Sequence, residues 1–375
     1  MSSASASATP TPANQATLYA GFAAGYLIAF RASDGTVRWR TKGYTASPVV
    51  SDGVLYTASG ADLVALRPQS DGVAEVWRTP LDTTALTSTP VLSNGILYVN
   101  TSGLTANRSA PNGSVFAVDA NTGHILWRFQ THGSMFGAPV VTADAVYTGA
   151  EPASLMSTLF ALNRADGALR WRVQRKEYVT GMAVLGGTIY VGSTDNTVAA
   201  FRVSNGAQLW SYRTPGFVDS LAVSTIGEAS IVFAGSRDET LYALRASDGT
   251  LLWTYQADGF ILAPVVVQGD LVYITSEHGY LAVLDAATGS VRWRTCVDHD
   301  TCTDPGGAIR FSTLLVAGQT IYVGAAFVGT GPSAGLPAEE AGGIYVLDAN
   351  AGHVLWQYQS GIVGAEMGTP ALADG

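Results

Sequence analysis

The sequence predicts an all-β chain, an eight-bladed β-propeller of four-stranded antiparallel blades. Three observations point there. A repeat recurs eight times, a glycine turn precedes each tryptophan at a near-constant distance, and the two ends of the chain each supply part of one blade. The composition agrees: 42 glycines and 15 prolines stand among 375 residues, only 13% are charged, and lysine occurs only as Lys42 and Lys176. Glycine and proline are the costliest residues in a helix interior, and straight-chain charged helix formers are scarce here. A hydrophobic share of 47% excludes disorder for most of the chain.

The repeat has two landmarks. An apolar residue followed by an aromatic one occurs at Leu18-Tyr19, Leu55-Tyr56, Leu97-Tyr98, Val146-Tyr147, Ile189-Tyr190, Val232-Phe233, Val272-Tyr273 and Ile321-Tyr322. Each pair is followed by a tryptophan: Trp39, Trp77, Trp127, Trp171, Trp210, Trp253, Trp293 and Trp356, all eight in the chain. From first to last they span 317 residues over seven intervals, about 45 per repeat, the length of a four-stranded propeller blade. Glycine stands four residues before the tryptophan in seven copies, and Gly72 five before Trp77. In Asp34-Gly35, Asn205-Gly206 and Asp248-Gly249 a short polar residue precedes it, between apolar runs. The expectation is a tight hairpin turn in which both residues take positive φ.

The copy at 219–256 is free of insertions and gives the elements in order: strand A at 220–223, B at 231–235, C at 240–244 and D at 251–255. Each is short and apolar or aromatic without clean alternation, because radially stacked sheets bury both faces against their neighbours. The N-terminal copy enters at Tyr19 with strands B, C and D but no A, whereas 368–372 resembles the strand A segments 47–50 and 138–141. Pairing the C-terminal strand with the N-terminal blade closes the ring and removes exposed sheet edges. Residues 17–375 read as a single propeller domain, and 1–16 as a disordered Ser/Ala/Thr/Pro-rich tether.

Charge and hydropathy exclude some partners. A net charge of −9, from 20 basic and 29 acidic side chains, offers no footprint for a nucleic-acid backbone. No run approaches the ~20 apolar residues of a membrane helix. Residues 1–15 lack the basic and apolar regions of a secretory signal, and a lipid or linker tether upstream is compatible with the expected extracytoplasmic location.

The segment from Val118 to Trp127, with Asp119, Thr122-Gly123 and Trp127, resembles the tryptophan-docking motif of the PQQ-type β-propeller family. Asp285, Thr288-Gly289 and Trp293 match equally, and the copy with Asp348, Gly352 and Trp356 departs by Ala351 at the threonine position. The resemblance covers about 18–372 and implies that the eight tryptophans dock between blades. One branch of the family comprises quinoprotein dehydrogenases that oxidise alcohols or sugars with PQQ and Ca²⁺. The other comprises non-catalytic propellers of the outer-membrane barrel-assembly lipoprotein type, which this chain resembles in size and style.

Register arithmetic locates the insertions. From the strand B aromatic to the tryptophan the distance is 20 in four copies, but 29 for Tyr98 to Trp127, 24 for Tyr147 to Trp171 and 34 for Tyr322 to Trp356. Phe116, Phe160 and Tyr345 keep their place eleven before the tryptophan, so the extra residues lie in B–C loops. A fourth insertion, between Trp293 and Tyr322, lies in a D–A connection. B–C and D–A connections emerge on one face, which is the expected binding surface because function concentrates in loops on a rigid scaffold. Its candidate residues are the D–A aromatics Tyr44, Phe136, Tyr178, Phe217, Phe260 and Phe311, as a collar, and Glu177, Asp219, Arg310 and Glu366 near the starts of strand A.

Cys296 and Cys302, the only cysteines, lie in the D–A insertion and are placed for a local disulfide, which needs an oxidising compartment. They are not adjacent, unlike those of the best-known quinoprotein subfamily. Asp298, His299, Asp300 and Asp304 share the loop without a spaced ligand motif, so no metal is expected. No nucleophile elbow, Walker loop or His-Glu-x-x-His is present, and no catalytic residue is assigned. The sequence thus predicts an extracytoplasmic, non-catalytic scaffold that binds a protein or peptide partner without a cofactor; it leaves the oligomeric state open, with a monomer favoured. The alternatives are a PQQ- and Ca²⁺-dependent dehydrogenase or orphan PQQ-binding protein, and the sensor domain of a larger receptor.

Overall fold

The computed structural model describes residues 16–22, 25–44, 46–81, 85–86, 88–102, 113–135, 137–151, 157–297, 302, 307–329, 342–360 and 368–373. Eight antiparallel sheets stand side by side as the blades of a ring. Blade 6 is representative, with strand A at Val218–Ile226, B at Ala229–Ser236, C at Thr240–Arg245 and D at Leu251–Gln256. In blades 3, 4 and 8 strand A is two short pieces that both pair with strand B, as Gly307–Phe311 and Leu315–Ala317 do in blade 8. Ala371–Ala373 supplies strand A of blade 1, with Tyr19 opposite Ala371 and Thr17 opposite Ala373. The ring closes through the two ends of the chain.

The core is a set of layers between blades. Strand B carries the landmark pairs, and strands B and C form the buried middle of each blade, as at Val232, Phe233, Leu241 and Ala243. The layer between blades 8 and 1 joins Tyr322, Ile344 and Val346 to Leu18, Phe22, Ile28 and Phe30. Each large apolar side chain so buried contributes roughly 1.5–3 kcal/mol.

The turns differ from the expected form. In seven blades only the glycine before the tryptophan takes positive φ, 72° at Gly35, and its N–H donates to the carbonyl four residues back, Arg31 O at 2.9 Å for Gly35, so the turn is wider than a two-residue hairpin; Gly72 of blade 2 is the exception. The reason is packing: a Cβ on Gly35 would lie 2.5 Å from the Trp356 ring of blade 8, and one on Gly289 2.6 Å from Trp253. Seven of the eight indoles donate through Nε1 to the same turn, as Trp77 does to Ala120 O (2.9 Å) and Trp356 to Ala32 O (3.0 Å). The two-residue turn with both φ positive occurs between strands A and B instead, at Asp52-Gly53 (49° and 71°) and Asn94-Gly95 (49° and 71°).

Every strand D forms the outer edge of its blade, and each C–D pair breaks register one residue before the tryptophan. Arg38, Leu126 and Leu355 are such extra residues, and Leu126 and Leu355 are each 49% exposed. A bulge twists an open edge away from a neighbour's edge, which discourages sheet-to-sheet association.

Candidate functional site

The B–C loops are bonded to the D–A connectors beside them. In blade 5, Asn196 takes φ 63° and its carbonyl accepts from Thr214 N (2.8 Å) and Oγ1 (3.0 Å), while its Nδ2 donates to Pro215 O (3.1 Å). In blade 6, Glu239 (φ 66°) accepts from Ala257 N at 2.7 Å. Asp238 accepts from Gly216 N (3.1 Å) and Tyr242 OH (2.9 Å); burial and this carboxylate push the Tyr242 hydroxyl up to about 12. The connectors are therefore held in fixed positions.

The structure spreads the D–A aromatics around the ring. Tyr44 packs into the layer between blades 1 and 2, and Phe311 into the layer between blades 7 and 8. Tyr178 is half-buried, and its backbone exchanges hydrogen bonds with Thr194 at 3.1 Å. Phe217 and Phe260, on neighbouring connectors, stay 40% and 38% exposed. Phe136 and Glu366, with most of the inserted loop residues, lie outside the described residues. Asp219 is paired in bidentate fashion with Arg237 (2.8 and 3.0 Å), whose guanidinium lies 5.4 Å from the centre of the Phe217 ring. Arg310 is exposed on blade 8. Cys296 and Cys302 form a disulfide.

Glu177 and Phe217 meet at one place, a cleft of about 740 Å³ between blades 4 and 5. Arg175, at the end of strand D of blade 4 (Leu169–Arg175), lines it with only 9% of its side chain exposed. Its Nη2 donates to Asp195 Oδ2 (3.3 Å) and Thr197 Oγ1 (3.2 Å), and its guanidinium lies 5.4 Å from the Phe201 ring centre. Burial pushes its pKa down, partly opposed by Asp195. Lys176 and Arg213 also line the cleft, and neither is ion-paired among the described residues.

Sequence reasoning missed this cleft, although a signal exists. The residue after the tryptophan is arginine in five blades (Arg40, Arg78, Arg128, Arg172 and Arg294) but Ser211 in blade 5. Three of these arginines cover an aromatic ring on strand C, Arg294 at 3.9 Å from the Tyr280 centre, Arg40 at 4.6 Å from Tyr26 and Arg128 at 5.6 Å from Phe116. Opposite Ser211 stands Ala199, and two small side chains leave the space open. Four residues after the tryptophan most blades carry buried apolar or small polar residues, such as Leu81, Thr131, Ala257 and Val297. Blade 4 has Arg175 there.

A sequence model of the family described as outer membrane protein assembly factor BamB matches residues 23–155, 111–231 and 218–363. The chain belongs to the BamB family. The factor of that name from Moranella endobia (strain PCIT) is 24% identical over 69% of this chain and 52% of its own length. The one from Yersinia pestis is 27% identical over 60% of this chain and 50% of its own length. The chain thus spans about half the length of the curated relatives it matches. The crystal structure of BamB from Moraxella catarrhalis superposes with a TM-score of 0.62 at 18% identity, covering 85% of this chain and 88% of that one. A europium-containing methanol dehydrogenase superposes with a TM-score of 0.64 at 14% identity, over 86% of this chain and 79% of that one. The fold is common to both, so it does not separate a BamB-like role from a quinone-dependent one.

The donor groups in this member of the BamB family bear on that choice. Both oxygens of Asp219 are engaged by Arg237, and Glu177 opens onto the blade 4–5 cleft. Among the described residues no three or more His, Cys, Asp or Glu side chains gather as a metal-ligand set. These residues do not fit a calcium–quinone centre, and no chemistry is derived through one.

Proposed function

We propose that the chain is a non-catalytic propeller that binds a protein partner through its B–C/D–A face, outside the cytoplasm. The observation that carries the reading is the family match from 23 to 363, because relatives bearing that name are assembly factors for outer membrane proteins. Two features support it. Phe217 and Phe260 are exposed on adjacent connectors with Arg237 beside Phe217, and aromatic and arginine side chains are the usual anchors of protein interfaces. The Cys296–Cys302 disulfide fits an oxidising compartment.

The test is a photo-crosslinking residue at 217 or 260, compared with one at 125 or 354 on the outer strands. Envelope extracts are expected to yield one discrete crosslinked protein from 217 and 260 only. Phe217→Asp with Phe260→Asp is expected to lower the yield about tenfold at an unchanged melting temperature. Equal yields from all four positions overturn the assigned face. Titration with PQQ and Ca²⁺ is expected to give no saturable heat, and saturable binding with dye-linked oxidation of alcohols or sugars overturns the non-catalytic reading.

A further inference from the structure

Two departures from the repeat meet between blades 4 and 5: an arginine enters a slot that other blades fill with small or apolar groups, and a serine stands where five blades carry arginine, three of them over a strand C ring. Cohesion of the ring does not explain Arg175. Arg164, which ties blade 4 to blade 3, uses every nitrogen: Nε donates to Tyr98 OH (2.9 Å), Nη1 to Thr142 O (3.1 Å) and Nη2 to Ser93 O (2.9 Å). Arg175 is as deeply placed but bonds through Nη2 alone. Its Nε is buried without a partner, and Nη1 has none among the described residues. Leaving a desolvated guanidinium half-satisfied is costly.

The surroundings define what would complete it. Three cationic side chains, Arg175, Lys176 and Arg213, face two anionic ones, Asp195 and Glu177, in a chain whose net charge is −9. Asp195 is already shared with Thr197 Oγ1. One negative charge balances the cleft, and an arginine favours a carboxylate because the two groups match in shape and charge. Phe217 supplies an exposed apolar wall, and about 740 Å³ lies within the range of small-molecule sites. We propose that this cleft binds a small monocarboxylate with an apolar or aromatic body, its carboxylate on Arg175 with Lys176 and Arg213, its body against Phe217. The proposal shares Phe217 with the protein-partner reading but rests on Arg175, Lys176 and Arg213, which that reading does not use.

The probe is phenylacetate, titrated calorimetrically into the full chain, with the neutral phenylacetamide and with acetate as comparisons. Saturable phenylacetate binding is expected, with both comparisons weaker by about tenfold or more. Arg175→Leu installs the residue that blade 2 carries as Leu81, and Ser211→Arg installs the arginine that lies over the strand C ring in three blades, so the repeat offers a precedent for both side chains. Each is expected to weaken phenylacetate about tenfold or more without lowering the melting temperature, and exposed Arg213→Ser to weaken it several-fold with no repacking. Absence of phenylacetate binding up to its solubility limit, equal binding of the amide, or binding indifferent to all three substitutions overturns the proposal. Binding of a glutamate-containing peptide with the same sensitivity, in the absence of phenylacetate binding, also overturns it and assigns the cleft to an acidic segment of a protein.

Discussion

Glu151 closes strand B of blade 4 (Ala145–Glu151), and burial pushes its carboxyl up to about 7. The folded chain therefore holds a proton that the unfolded chain releases near its ordinary value of 4.5, so this residue makes stability fall as pH rises through that window. The turn aspartates act in the opposite sense. Asp34 is held at about 2 by hydrogen bonds from Thr36 and Arg31, and Asp119 and Asp285 are held low by Thr122 and Thr288. Their stabilisation is present above the ordinary aspartate range and is lost as pH falls through the lowered values. The melting temperature is expected to peak at about pH 5 and to decline on both sides. Glu151→Gln should flatten the decline toward pH 8 and leave the acid limb in place, which thermal unfolding across pH 3–8 checks. Nothing in the sequence marks Glu151, because its environment is made by strands that meet only in the fold.

At the scale of the element, the unit that builds the ring is the tryptophan of one blade seated on the glycine turn of the next. Gly289 has φ 73° and would place a Cβ 2.6 Å from Trp253, whereas Gly53 has φ 71° with nothing within 4 Å. Gly53→Ala is expected to cost about 1 kcal/mol from backbone strain alone, and Gly289→Ala about 2–4 kcal/mol because overpacking adds to it. Urea unfolding measures the difference, and equal costs would show that the indole contact is soft. This repeating unit is why the fold was legible: eight tryptophans and their glycines set blade number, strand order and closure. The turn geometry was less so, since Asp34-Gly35 reads like a hairpin pair until the indole above Gly35 is known. The cleft was hidden for a different reason. It arises from what blade 5 lacks at Ser211, and it shows only when strand D of every blade is laid against the others.

At the scale of the molecule, ring closure runs through three paired residues near the C-terminus, 371–373. Ala371–Ala373 pairs with Thr17–Phe22, and Leu372 packs on the layer that joins blades 8 and 1. The same junction holds Trp356 over Gly35, with its Nε1 on Ala32 O. Removing 368–375 would leave strand B of blade 1 as an open edge carrying Leu18 and Ala20, both fully buried in the intact ring. An unpaired apolar edge lowers stability and invites intermolecular pairing. The truncated chain is expected to melt several degrees lower and to aggregate on heating. Supplying the missing segment from the other end, by placing 368–375 ahead of Thr17 in a permuted chain, restores blade 1 but leaves it covalently continuous and no longer clasped by the chain's far end. If the clasp itself matters, the permuted chain should recover the solubility of the parent but not its full melting temperature. Full recovery would assign the whole effect to the covered edge, and a truncated chain as stable as the parent would show that the indole and turn contacts alone hold blades 8 and 1 together.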